Sequence, residues 1–231
     1  MDELTAGLFN PFASEEVAPP NSSHWEAKRR LAEAVRQLND LLVSTVASDA
    51  ELAQASAQVE ALNRTLADTP RLHGTLAYLK SGEHGHYGEI NHELNAVGGQ
   101  SNPLAPGLNM WLDGNRAYGT VRCGLAYEGP PGFVHGGFVA AIFDQFLGMA
   151  QVAGGQPGMT GTLTVRYLRP TPLNTELKLS AQLSRAEDRK TLVSGELRAG
   201  GEITATAEGL FVRPSRGMAA MAEMAVGNSG Q

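Results

Sequence analysis

Residues 136–153, GGFVAAIFDQFLGMAQVA, restrict the fold more than any other stretch of the chain. The run has the length of a helix and is apolar on nearly every side, and such a helix has to be surrounded. Asp144, Gln145 and Gln151 interrupt it, so it falls short of the roughly 18–20 uninterrupted apolar residues of a membrane span. It is therefore expected as a central helix, with other elements wrapped around it. It carries one carboxylate, Asp144, and opens on two glycines after a histidine, His135-Gly136-Gly137.

The wrapping material is legible on both sides of it. LNMWLDG and RAYGTVRCGLAY flank a turn at Asp113-Gly114-Asn115. After the helix come MTGTLTVRYLRP (159–170), TELKLSAQLSR (175–185), KTLVSGELRAG (190–200) and GEITATAEGLFVRP (201–214). Each alternates with period two, as half-buried strands do. Leu163, Val165 and Tyr167 share one face, while Thr162, Thr164 and Arg166 share the other. Leu177, Leu179, Ala181 and Leu183 form a second apolar row, and Ile203, Ala205, Ala207, Gly209 and Phe211 a third. Gly200-Gly201 suits a two-residue hairpin. About six strands around one apolar helix predict an α+β fold, a strongly curved antiparallel sheet wrapped around the helix.

The N-terminal part reads differently. Residues 1–23 carry little pattern and are expected as a loosely held arm. Residues 24–68 are expected as a helical extension. Ser23 with Glu26 has capping-box spacing, and Leu31, Val35, Leu38, Leu42 and Val46 form one stripe. A break at 48–50 precedes a second stripe, Leu52, Ala55, Val59, Leu62 and Leu66. The stripes are too short and alanine-rich for a long coiled coil. Packing on the main domain or on each other is favoured over an oligomerisation role. Residues 69–105, rich in Gly, Pro, His and Asn, are expected to be an irregular connection with a short strand at 74–80. The main domain should span 106–214, followed by a frayed helical tail over 215–231 through Met218 and Met221.

Composition removes several functions. The net charge is −6 and no basic tract runs along the chain, which disfavours nucleic acid, whose binding rests on phosphate neutralisation. Lys28-Arg29-Arg30 reads as the solvated face of a helix. The single cysteine, Cys123, lies in a strand-like run, so it reads as a buried structural thiol in a reducing compartment. The N-terminus has neither the basic nor the apolar region of a signal peptide, so a cytoplasmic protein without a membrane span is expected. His84, His86, His92 and Glu93 could ligate a metal, but they lack the tight pairing of zinc motifs. They read as exposed loop residues, and no metal is expected. No dinucleotide or phosphate-loop motif calls for a cofactor, and no GxSxG elbow calls for a serine nucleophile.

The histidine–glycine start can do chemistry. The first N–H groups of a helix lack internal partners and carry partial positive charge. Glycines let a ligand approach them, as an oxyanion site needs. The same glycines would also suit a tight loop entering a helix. A carboxylate in an apolar helix is either paired, for example with Arg166, or functional.

Taken together, Tyr127-Glu128-Gly129-Pro130-Pro131-Gly132-x-x-His135-Gly136-Gly137 and Asp144 nine positions on resemble the PaaI-like hotdog-fold acyl-CoA thioesterases. The subgroup most similar includes the mammalian thioesterase-superfamily proteins acting on medium and long acyl chains. VRYLRPTPL and AEGLFV agree with it, and the resemblance covers about residues 106–214. It implies a hotdog fold working as a homodimer or a larger homotetramer. It implies Asp144 as catalytic carboxylate, either a general base or a nucleophile. It implies that His135 and the N–H groups of Gly136 and Gly137 polarise the carbonyl, and that Thr160 places the attacking water. Many relatives carry an asparagine where this chain has Gly129, so a side-chain amide in the oxyanion site is not implied here. The expected function is hydrolysis of acyl-CoA to free acid and CoA. The alternatives are a non-catalytic acyl-CoA or acyl-carrier binding module acting through its helical N-terminus, and an enoyl-CoA hydratase. Asp144 favours the hydrolase over the binder, and no second Asp/His pair supports the hydratase.

Overall fold

The computed structural model describes residues 11–154 and 158–215. Two helices open it, α1 (Ser23–Ser44) and α2 (Asp49–Ala67), followed by two short ones, α3 (Thr75–Ser81) and α4 (Tyr87–Leu94). Strands β1 (Asn109–Asp113) and β2 (Arg116–Arg122) precede the central helix α5 (Gly136–Ala150), and β3 (Met159–Tyr167), β4 (Glu176–Glu187), β5 (Lys190–Ala199) and β6 (Glu202–Val212) follow it. The six strands form one sheet in the order β1-β2-β4-β5-β6-β3, each neighbouring pair antiparallel.

The expected helix-in-sheet arrangement is present. Helix α5 touches all six strands. Its Val139, Ile142, Phe143, Phe146 and Leu147 are buried among Leu177, Leu179, Val193, Leu197, Ala205, Ala207 and Phe211. Burial of these side chains is the main stabilising term, at roughly 1.5–3 kcal/mol for each large apolar group. Gly200 and Gly201 turn β5 into β6 with φ of 56° and 90°, which explains two glycines in succession. β2 is shorter than its sequence pattern, because the chain leaves the sheet at Arg122 and closes a 3-10 turn at Leu125–Tyr127. α5 likewise ends at Ala150 and continues as a 3-10 turn over Gln151–Gly154.

Helix α1 docks by a different face from the one its apolar stripe suggests. Trp25 and Ala32 are buried, whereas Leu42 and Val46 are 61% and 99% exposed. The docking side is Trp25, Arg29, Ala32, Arg36 and Asp40, at helical spacing, and most of its contacts are polar. The Arg36 guanidinium donates to the carbonyls of Asn102 and Gln100, and the Asp40 carboxylate accepts from the Ala126 N–H at 2.9 Å. Arg29 is not part of a solvated basic face. It pairs with buried Glu93 at 2.6 Å, and Ser101 also donates to that carboxylate. The N-cap is Ser22 rather than Ser23, accepting from the Trp25 N–H. Helix α2 keeps the expected break, with a full capping box between Ser48 and Glu51, but buries no residue. The two helices are expected to pack on the main domain or on each other; among the described residues α1 buries residues and α2 buries none.

The segment expected to be irregular carries α3 and α4, and the strand expected at 74–80 is helix α3. Its histidines are not simply exposed loop residues. His86 caps α4, and the His84 ring lies 5.0 Å from Tyr78 and 5.9 Å from Trp25. His92 is 5% exposed, its Nε2 has no hydrogen-bond partner among the described residues, and burial lowers its pKa from 6.5 to about 4. Arg29 nearby pushes in the same direction. Local pattern could not reveal this, since these helices are held by distant groups such as Arg29 and Trp25.

The N-terminal residues that are described run along β1. The Leu112 N–H donates to the Phe12 carbonyl at 3.1 Å, and Asn109 donates its amide to the Glu15 carbonyl. That edge of the sheet is thereby covered. β3 forms the other edge and pairs only with β6 among the described residues. The expected C-terminal helical tail lies, apart from its first residue, outside the described residues. Among the described residues no helix is long and apolar enough to cross a membrane.

Candidate active site

The loop Tyr127–His135 delivers the chain into α5. Glu128 accepts from the Gly132 N–H at 2.6 Å, the Phe133 N–H donates to the Pro130 carbonyl, and the His135 N–H donates to the Tyr127 carbonyl at 2.9 Å. Gly129 lies so close to the returning chain that an added Cβ would stand 2.7 Å from His135 Cα. A side chain there, an amide included, would force the returning backbone at His135 to shift.

His135 is the N-cap of α5. Its Nδ1 accepts from the Gly137 N–H at 3.0 Å. Nδ1 therefore carries a lone pair, and the ring proton sits on Nε2. The exposed imidazole thus presents an N–H donor outward. The Phe138 and Val139 N–H groups turn to the His135 carbonyl. Of the two glycine N–H groups expected to face a ligand, Gly137 is engaged with His135. Gly136 makes no such bond among the described residues. Phe138 packs edge-on against Tyr127 at 4.8 Å between centroids and lies near the histidine. Phe138 is half-buried, whereas Phe143, Phe146 and Met149 on the same helix are buried.

Asp144 lies on the side of α5 turned away from the core and is exposed. Its partner is not Arg166, which lines a groove with Thr164, Thr206 and Glu208 from the adjoining strands. The partner is Thr160, whose Oγ1 donates to Asp144 Oδ1 at 2.8 Å. The route to this contact is a β-bulge. Thr160 stands opposite Phe211 and Thr162 opposite Leu210, with Gly161 as the extra residue between them. Phe211 points into the core beside α5, so Thr160 shares that face. Strict alternation from Arg166, Thr164 and Thr162 would have turned Thr160 the other way. Bulges re-aim side chains in this manner.

His135 and Asp144 do not meet. Nine residues of helix separate them, roughly 13 Å at about 1.5 Å per residue. The structure brings Asp144 and Thr160 together at mid-helix and leaves His135 and Gly136 at the helix start. Sequence reasoning missed Tyr167 as a neighbour of that start. Its Oη donates to the Gly136 carbonyl at 2.9 Å, and its ring would meet a Cβ on Gly136 at 3.5 Å. Period-two alternation assigned its face but could not say what it would reach. Cys123 is buried and its thiol is pushed up to about 12 by burial, so it is inert near neutral pH.

Comparison with known proteins places this architecture. Residues 131–206 match the model of the Thioesterase superfamily. Acyl-coenzyme A thioesterase THEM4 of Mus musculus is 37% identical over 100 residues, 42% of this chain and 43% of the relative. Acyl-coenzyme A thioesterase THEM5 of Homo sapiens is 32% identical over 71 residues, 31% of this chain and 29% of the relative. The matched stretch thus spans less than half the length of these curated relatives. A solved structure described as a thioesterase superfamily protein is 33% identical, covers 84% of this chain and 97% of its own, and superposes with a TM-score of 0.69. With its curved six-stranded sheet around α5, the chain belongs to the thioesterase superfamily and has the hotdog fold.

Proposed function

We propose that the protein hydrolyses acyl-CoA to the free acid and CoA. The observation that carries this reading is the Thr160–Asp144 hydrogen bond, a carboxylate and a hydroxyl set together on the open side of the helix. The names of the curated relatives, acyl-coenzyme A thioesterases, support it. Thr160 spends its hydroxyl hydrogen on Asp144 Oδ1, so toward a water it offers only lone pairs. A water between Thr160 Oγ1 and Asp144 Oδ2, which has no partner among the described residues, finds an acceptor for each hydrogen, and its own lone pair is left for the thioester carbonyl. Asp144 takes one proton as general base. The carbon–oxygen bond forms, and the oxyanion is held by the His135 Nε2–H and the Gly136 N–H. Collapse breaks the carbon–sulfur bond, and the proton on Asp144 passes to the departing thiolate.

This mechanism needs the two half-sites on one carbonyl, and about 13 Å of helix forbids that within a chain. A two-fold dimer with antiparallel α5 helices supplies it, because the start of one helix then lies beside the middle of the other. Two features favour such a dimer. The β3 edge is long and uncovered by the described residues, and an uncovered edge is a template for another strand. The side of α5 that carries Asp144 is lined by Gly137, Ala140, Ala141 and Gly148, small enough for close helix approach. We therefore assign each site His135 and Gly136 from one protomer and Asp144 and Thr160 from its partner.

The test is release of free thiol from a panel of acyl-CoAs of increasing chain length. Saturable hydrolysis of at least one is expected. Tight acyl-CoA binding without thiol release would replace the hydrolase by the binding module.

A further inference from the structure

Two side chains hydrogen-bond the Gly136–Gly137 peptide. The Tyr167 hydroxyl donates to its carbonyl oxygen at 2.9 Å, and the N–H of the same peptide unit donates to His135 Nδ1 at 3.0 Å. Tyr167 is the last residue of β3, so the contact ties the sheet edge to the start of α5 across 31 residues of sequence. The Tyr167 ring is 55% exposed, so packing does not explain its placement.

We propose that Tyr167 is a positioning residue for His135, acting through the Gly136–Gly137 peptide; the proposal rests on the hydrolase reading above. A hydrogen bond accepted at a peptide oxygen draws electron density from nitrogen and strengthens the N–H as a donor, because the two ends share one resonance system. The strengthened N–H holds Nδ1 as an acceptor. The imidazole is thereby kept with its proton on Nε2, the nitrogen that faces outward to a thioester carbonyl. The ordered chain is Tyr167 O–H, Gly136 carbonyl, Gly137 N–H, His135 Nδ1, His135 Nε2–H. No bond is made or broken in it, and Tyr167 touches no reacting atom. It also ties the donor half of one site to β3 of the same chain, whose Thr160 serves the other site of the dimer.

Tyr167→Phe keeps the ring and removes only the donor. Loss of one such bond is expected to lower kcat about fivefold while KM stays within about a factor of two. Nitrogen-15 spectra of the His135 ring read the relay without any substrate. In Tyr167→Phe, the population with the proton on Nδ1 should rise. Fluorotyrosine placed at 167, a stronger donor of nearly the same shape, should lower that population and restore kcat. An unchanged tautomer, or a change confined to KM, overturns the proposal. Should Tyr167→Phe fail to fold, the fluorotyrosine protein decides alone, and an unchanged tautomer there overturns it equally. If the native protein hydrolyses no acyl-CoA, the hydrolase reading falls, and the tautomer measurement still decides whether Tyr167 orients His135.

Discussion

Thr160 reaches Asp144 at 2.8 Å because β3 carries one extra residue, Gly161, between the positions paired with Phe211 and Leu210. The bulge converts an outward strand position into one that meets the central helix. A hydroxyl and a carboxylate from different elements become hydrogen-bonded by that shift.

Asp144→Asn removes the proposed base and leaves a group of the same shape. Because Asp144 is exposed and makes no ion pair with a described residue, stability should change little. Turnover on the best acyl-CoA should fall by about 10²–10⁴-fold, the usual share of a general base. Near-normal kcat in a folded Asp144→Asn protein would remove Asp144 from the mechanism.

Thr160→Ala keeps the proposed base and loses one proposed acceptor for the attacking water. A milder loss is expected, about tenfold in kcat, on the scale of one hydrogen bond. Kinetics indistinguishable from the native protein would leave the Thr160–Asp144 contact a structural one.

The proposed composite sites are open to complementation. His135→Ala and Asp144→Ala homodimers should each be inactive. After subunit exchange, a heterodimer gathers both defects in one site and neither in the other, so about half of the native activity per heterodimer should return. Proven exchange without recovery would place both half-sites within single chains and contradict the shared-site arrangement.

The buried His92 gives the fold a pH dependence. Its folded pKa of about 4 lies below the ordinary 6.5, so the unfolded chain binds the proton more readily. The stability contribution is complete above pH 6.5 and is lost as pH falls from 6.5 through about 4. Between pH 7 and pH 5 the loss should be about 2 kcal/mol. Denaturant unfolding at the two values measures it, and the part due to His92 should vanish in His92→Leu. Equal slopes in both proteins would show that His92 is protonated in the fold.

Local periodicity determined a good deal of this protein. The helix at 136–150 and the strands around it follow from apolar residues at fixed spacing, since period 2 and period 3.6 leave different marks on a chain. The capping box at Ser48 and Glu51 and the glycine hairpin at 200–201 are also local events, complete within a few residues. The His135-Gly136-Gly137 start and Asp144 could be picked out because each is anomalous in its own neighbourhood. What depends on distant partners was decided only by the tertiary structure. The docking face of α1 runs through Arg29, Arg36 and Asp40, whose partners are Glu93, backbone carbonyls and the Ala126 N–H, so no apolar stripe marks it. α3 and α4 form in a segment full of Gly, His and Asn because Trp25 and Arg29 hold them from another helix. Gly161 carries no local mark of a bulge, and only pairing with β6 makes it one and turns Thr160 toward Asp144. Tyr167 and Gly136 are 31 residues apart, and their hydrogen bond exists because the sheet curves around α5. Side-chain direction is local until strands pair; register and curvature then decide which groups meet.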